Sequence, residues 1–174
     1  VVLHVGRLAP EKNLAALSEA FVAIRQHQPA ARLVLVGDGP DAANLRNLLP
    51  EAIFTGTLHG EELAAHYASG DLFLFPSLTE TFGNVTLEAM ASGLPLVAFD
   101  YAAAAQHVRH GTCGLLAGYG HGGDFTAMAG ELASRHGSDL ERFRGMGRNA
   151  RLAAELLDWK RVVRQQEALL LSIV

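Results

Sequence analysis

Short apolar runs, each about one strand long, recur through the chain at Val1–Val5, Arg32–Val36, Leu72–Phe75 and Leu96–Ala98. They do not alternate polar with apolar residues, so each must be covered on both faces. Helix-length amphipathic stretches separate them. In the first, Leu14, Leu17, Phe21 and Ile24 fall on one stripe at helical spacing. Buried strands alternating with helices have one economical solution, a parallel sheet whose crossover helices cover it. The expected fold is α/β, a Rossmann-like doubly wound parallel sheet of about six strands with helices on both faces.

The elements are expected as follows. Strand Val1–Val5 leads into the loop Gly6–Lys12, and Asn13 caps the first helix. Strand Arg32–Val36 ends at Gly37-Asp38-Gly39-Pro40 and is followed by a helix over Asp41–Leu49. A short strand, Ile53–Thr55, passes through the loop Gly56–Gly60 to a helix over Glu61–Ser69. After strands Leu72–Phe75 and Leu96–Ala98 come a helix over Ala102–His110, a short strand Gly114–Leu116, and a helix Phe125–Arg135 capped by Asp124. Leu140–Ile173 reads as two helices hinging near Asp158-Trp159. With no internal repeat and no linker, residues 1–174 read as one domain.

Composition removes several function classes. A chain of 174 residues that is 49% hydrophobic and 18% charged is neither disordered nor a nucleic-acid tail. Its net charge of −4 argues against a duplex-binding surface, so no nucleic-acid partner is expected. Cys113 is the sole cysteine, which allows no internal disulfide and suits a reducing, cytoplasmic compartment. No apolar run approaches the ~20 residues that span a membrane. The first strand begins at residue 1, with neither initiator Met nor leader, so a fragment cut near its boundary with a missing N-terminal domain is expected.

The densest chemistry lies between two of the strands, from Pro76 to Pro95. A loop carries Glu80, and Gly83-Asn84 opens a short helix carrying Glu88. The amides of Asn84, Val85 and Thr86 at that helix start favour an anion, because their N–H groups are free and the helix dipole is positive there. Glu88 beside a phosphate site suits the two hydroxyls of a ribose, and Glu80 can reach further, toward a second polyol. Either Glu taken alone is accounted for by the dipole, worth ~0.3–1 kcal/mol. Two acids flanking a Phe-Gly-Asn turn at a strand end are harder to explain that way. The loop after the first strand carries Arg7 and Lys12, at the end of the sheet where doubly wound folds bind ligands. Charge-assisted bonds of ~1.5–3 kcal/mol each from such cations would hold a diphosphate.

This stretch resembles the signature of the retaining nucleotide-sugar glycosyltransferases called group 1, or family 4. Their pattern is Pro-Ser-x-x-Glu-x-Phe-Gly-x-x-x-x-Glu-Ala-Met-Ala-x-Gly-x-Pro. It is matched here by Pro76, Ser77, Glu80, Phe82, Gly83, Glu88, Ala89, Met90, Ala91, Gly93 and Pro95. The resemblance implies the C-terminal, donor-binding half of a GT-B fold, in which two Rossmann-like domains face each other across a cleft. It implies transfer of a sugar from a UDP- or GDP-linked donor to an acceptor hydroxyl with retention. By the same resemblance Glu80, Arg7 and Lys12 are the catalytic candidates. Arg7, Lys12 and the amides of Asn84, Val85 and Thr86 would hold the donor diphosphate. Glu80 with Phe82 and Gly83 would hold the donor sugar, and Glu88 the ribose. Gly37, Thr57 and Leu58 are the cleft and nucleobase candidates. Neither a cofactor nor a metal is expected, since the family's cations replace one. The implied partners are a nucleotide sugar and, through the missing domain, an acceptor lipid, saccharide or small molecule, with peripheral membrane association of the whole enzyme at the inner face. The rival reading is a non-catalytic nucleotide-binding or interaction module of the same fold. A pyridoxal-phosphate relative is disfavoured, because Lys12 and Lys160 are the only lysines and neither sits in a Schiff-base motif.

Other patterns are set aside. Gly118-Tyr119-Gly120-His121-Gly122-Gly123 spells a dinucleotide fingerprint but lacks the downstream strand with an acidic end, and reads as a flexible loop. His107 and His110 lack a third metal ligand. Half of the basic residues lie between Arg142 and Arg164, interleaved with acids, as on a solvated helix face. The chain departs from the family at Ala102–Gln106, where many members have Gly-Gly-x-x-Glu, and at Asn13, where Gly is common. The combination Gly-Arg-Leu-Ala-Pro-Glu-Lys-Asn over residues 6–13 with the alanine run looks most like a bacterial sub-branch that glycosylates lipids or related acceptors.

Overall fold

The computed structural model describes residues 1–80 and 83–157 of the chain. Six parallel strands form one sheet: β1 (Val2–Val5), β2 (Leu33–Val36), β3 (Ile53–Gly56), β4 (Leu72–Phe75), β5 (Leu96–Phe99) and β6 (Gly114–Ala117). Their order is β3-β2-β1-β4-β5-β6, so the winding reverses between β1 and β4. In register, Val2 lies beside Leu33 on one side and Leu72 on the other. The helices are α1 (Leu14–His27), α2 (Ala42–Leu48), α3 (Gly60–Ser69), α4 (Asn84–Ala91), α5 (Ala102–His107), α6 (Gly122–Ser138) and α7 (Leu140–Glu155). The doubly wound α/β sheet expected from the apolar runs is the fold observed.

Side-chain alternation divides the core into two layers. Val2, Leu72, Leu74, Val97 and Phe99 face α1, α2 and α6, meeting Leu17, Phe21, Ile24, Leu45 and Phe125. Leu3, Val5, Phe73, Phe75 and Leu96 face α3, α4 and α5, meeting Tyr67, Met90 and Ala104. Helix α7 closes one edge of both layers, giving Phe143 and Met146 to the first and Ala150 to the second. Among the described residues no helix is long and apolar enough to cross a membrane.

Several expected boundaries move. Asn13 does precede α1, but its side chain caps nothing; the residue is left-handed, with φ 51°, and follows a 3-10 turn over Pro10–Lys12. Asparagine tolerates that conformation better than most residues, and glycine better still. Helix α5 stops at His107 instead of His110, because the next residues form a turn in which the Cys113 and Thr112 amides donate to Arg109. Helix α6 starts at Gly122, inside the glycine-rich hexapeptide, which puts Asp124 in its first turn and not at its cap. The expected hinge near Asp158-Trp159 lies outside the described residues.

Candidate functional site

The reversal of winding opens a crevice at the carboxyl ends of β1 and β4, where ligands of doubly wound folds sit. Two loops line it. The first, Gly6–Asn13, leaves β1 and is held by backbone bonds to the loop after β2: the Gly6 amide donates to Val36 and the Leu8 amide to Asp38, each at 3.0 Å. The approach is so close that a Cβ on Gly37 would lie 1.9 Å from the Gly6 carbonyl oxygen, and one on Gly39 would lie 2.3 Å from that of Leu8. Both glycines therefore have a packing reason to be glycine. Thr57, exposed, and Leu58, half-buried, follow β3 at the same end of the sheet.

The two cations of the first loop diverge. Arg7 is exposed and makes a loose ion pair with Glu11 at 3.8 Å, an arrangement worth ~0–1 kcal/mol and easily exchanged for a ligand. Lys12 turns inward. Its Nζ donates to Ser77 Oγ at 3.2 Å and to the Thr79 carbonyl at 3.4 Å, lies 3.6 Å from Glu80 Oε2, and sits 5.4 Å above the Phe75 ring. Lys12 and Glu80 thus bridge the two loops. Glu80 Oε2 is buried and accepts no hydrogen bond among the described residues, and the same holds for the Thr86 hydroxyl. Both residues line a small cavity with Phe75, Ser77, Phe99 and Tyr101.

Helix α4 begins at Gly83, whose φ of 65° requires glycine twice over, since a Cβ there would lie 2.1 Å from that of Ala103. Among the described residues no side chain caps the helix start. The Thr86 amide, expected to be free, already donates to the Gly83 carbonyl at 2.9 Å. The tightened first turn spends it, so the uncommitted amides among the described residues are those of Asn84 and Val85. A Schellman motif ends the helix: Gly93, with φ 76°, donates to Met90 and Leu94 donates to Ala89. Glu88 stands exposed in the second turn, and its Oε2 accepts a 2.9 Å bond from the Tyr67 hydroxyl. Burial, reinforced by the bond to Glu88, pushes the Tyr67 phenol far above its usual range. Phe82 lies outside the described residues.

Sequence reasoning passed over several residues here. His4, fully buried in β1, lies beneath the first loop; its Nδ1 donates to the Leu74 carbonyl at 2.9 Å, and Nε2 has no partner among the described residues. Burial is the main reason its pKa falls to about 4, the Leu74 bond opposing it and Lys12 adding to it. A histidine inside an apolar run was the available signal. Tyr119, in the hexapeptide set aside as a flexible loop, donates to the Leu78 carbonyl at 2.8 Å and packs against Tyr101 in a tilted pair with ring centroids 4.6 Å apart. That anchors the hexapeptide to the Glu80 loop. Ala102, where the family's first glycine would stand, has φ 49°. His110 Nδ1 accepts from the Leu116 amide, and no group of three metal-binding side chains is found among the described residues.

Comparison with known proteins gives consistent matches. A profile of the family described as "Glycosyl transferases group 1" matches residues 1–135. The sulfoquinovosyl transferase of Arabidopsis thaliana is 49% identical over 100 residues, covering 56% of this chain and 19% of that protein. A GDP-mannose-dependent alpha-mannosyltransferase of Mycolicibacterium smegmatis is 50% identical over 100 residues, covering 58% of this chain and 25% of its own. Among solved structures, HepE of Anabaena in complex with UDP superposes with a TM-score of 0.80 at 26% identity, covering 99% of this chain and 48% of that one. The chain spans a quarter or less of the length of these two curated relatives.

Proposed function

Because this chain belongs to the group 1 glycosyl transferases, we propose that it is the donor-binding domain of an enzyme that moves a hexose from a nucleoside diphosphate to an acceptor hydroxyl with retention. One observation carries the reading. A half-buried Lys12–Glu80 pair, the uncapped start of α4 and the exposed carboxylate of Glu88 converge on the crevice at the winding reversal.

In this reading Arg7, Lys12 and the Asn84 and Val85 amides stabilise the diphosphate as it leaves, an electrostatic task preset in the fold. Glu80 takes sugar hydroxyls. Its free oxygen is already oriented by Lys12, so little reorganisation is needed. Glu88 takes the ribose hydroxyls, and Gly37, Thr57 and Leu58 frame the base. The two loop cations support a reaction run without metal. The acceptor, whether lipid, saccharide or small molecule, is assigned to a further domain, and the whole enzyme to the bacterial cytoplasm or the inner membrane face. The donors in the relatives' names, GDP-mannose in one case and UDP in the HepE complex, leave two bases to test.

The test is calorimetric titration of this chain with UDP and GDP, beside Glu88→Ala. One nucleotide should bind, and saturation at ~100 times its Kd should stabilise the fold by ~2.7 kcal/mol. The variant should lose most of that affinity. Equal binding by the variant would remove Glu88 from the site and favour the non-catalytic module.

A further inference from the structure

Glu88 is exposed, and an exposed glutamate ordinarily samples many rotamers, whose loss opposes binding. Here one oxygen is already held. Tyr67 lies in the last turn of α3 and is 3% exposed. Its ring packs on Phe73 of β4, 6.0 Å between centroids, within the layer that includes Leu3, Val5 and Met90. Only the phenol tip is polar, and a buried phenol needs a partner. That partner is Glu88 Oε2, at 2.9 Å. With the phenol kept protonated, the bond has one direction: tyrosine donates and carboxylate accepts. A rigid core residue thus grips one oxygen of a solvent-facing acid on the neighbouring helix. Among the described residues nothing else bonds this carboxylate, which leaves Oε1 and the remaining lone pair of Oε2 as acceptors.

Two adjacent acceptor positions with a set orientation are what a vicinal diol requires, since its hydroxyls present two donors side by side. We infer that Tyr67 is the positioning residue for Glu88, presetting its carboxylate for the 2′- and 3′-hydroxyls of a ribose and so making the site select ribonucleotides over dideoxyribonucleotides. The inference rests on Glu88 being the ribose ligand. A different role for the same bond, a brace between α3 and α4, would affect every ligand equally or none. It would leave the ratio of ribose to dideoxyribose affinities unchanged.

That ratio is the measurement. Kd is determined for UDP and GDP and for their 2′,3′-dideoxy analogues, with the wild type, Tyr67→Phe and Glu88→Ala. Tyr67→Phe keeps the ring in its apolar layer, and the dideoxy ligand is the internal control for folding. We expect the wild type to prefer the ribose form by tenfold or more. Tyr67→Phe should weaken ribonucleotide binding by about five- to tenfold while leaving dideoxy binding at its wild-type value. Glu88→Ala should abolish the preference. If Tyr67→Phe keeps the wild-type ratio while Glu88→Ala collapses it, the positioning role is overturned and the ribose role of Glu88 stands. If Glu88→Ala keeps the ratio, both fall and the bond is a brace.

Discussion

His4 allows a stability prediction whose size follows from its surroundings. The Leu74 carbonyl can only accept, so the imidazole Nδ1 carries the proton of the 2.9 Å bond and Nε2 is the atom left to titrate. Protonating Nε2 would place a charge in a fully buried site that already feels Lys12, which is why the pKa falls from 6.5 to about 4. In the unfolded chain the same histidine titrates near 6.5. Between those two values the unfolded state binds more protons, so His4 stabilises the fold at neutral pH. That contribution is lost as pH falls from 6.5 toward 4. Between pH 7.5 and pH 5.0 the loss comes to about 2 kcal/mol. The perturbation is His4→Phe, which can keep the stacking on Phe75 (centroids 6.2 Å apart) and removes the titrating group. Urea unfolding of both proteins at the two pH values isolates His4, because the other histidines cancel in the comparison. The wild-type midpoint should fall on acidification by on the order of 1 M more than that of the variant. Parallel acid sensitivity, within about 0.5 kcal/mol, would refute the claim that His4 is held neutral by burial.

Two backbone positions give sharper tests. Gly37→Ala would drive a Cβ to 1.9 Å from the Gly6 carbonyl oxygen at a φ of 137°. It should cost about 3 kcal/mol or more, read by urea unfolding, with accompanying loss of nucleotide affinity as the first loop shifts. Ala102→Gly acts the other way. Its φ of 49° costs alanine ~1–2 kcal/mol, and the added freedom of an unfolded glycine returns ~0.4–1 kcal/mol of that. A net gain of about 0.5–1 kcal/mol, seen as a melting temperature higher by ~1–3 °C, is expected; a lower one would show that the strain is relieved elsewhere.

Much of the molecule was legible because it depends on near neighbours in sequence. The apolar runs marked β1, β2, β4 and β5 to within a residue, since a run buried on both faces needs no partner to be recognised, while β3 and β6 were expected as short strands close to where they lie. The cap that ends α4 at Gly93 is likewise local, built within five residues. The end of α5 was misread. Val108, Arg109 and His110 are compatible with a helix continuing past His107, and nothing local reveals that the chain will turn back on itself at Arg109. The fingerprint-like hexapeptide failed in the opposite way, since its last glycines proved to be helix, while Tyr119 reaches Leu78, 41 residues away.

For the site, the sequence by itself determined which groups are present and which of them share an element: Arg7 with Lys12 on one loop, and Glu88 on a helix whose first amides are open. Local chemistry suffices for that, because spacing along a loop or helix is spacing in space. Only the tertiary structure decided how those groups are used. It turned Lys12 inward to Glu80 while leaving Arg7 outside with Glu11. It took the Thr86 amide out of the anion site. It put Tyr67 under Glu88 across 21 residues, and buried His4 deeply enough to keep it neutral although a carbonyl 70 residues away accepts its Nδ1 proton. Hydrogen-bond partners and burial are properties of neighbours in space, and in a parallel sheet every neighbouring strand lies at least one crossover away along the chain.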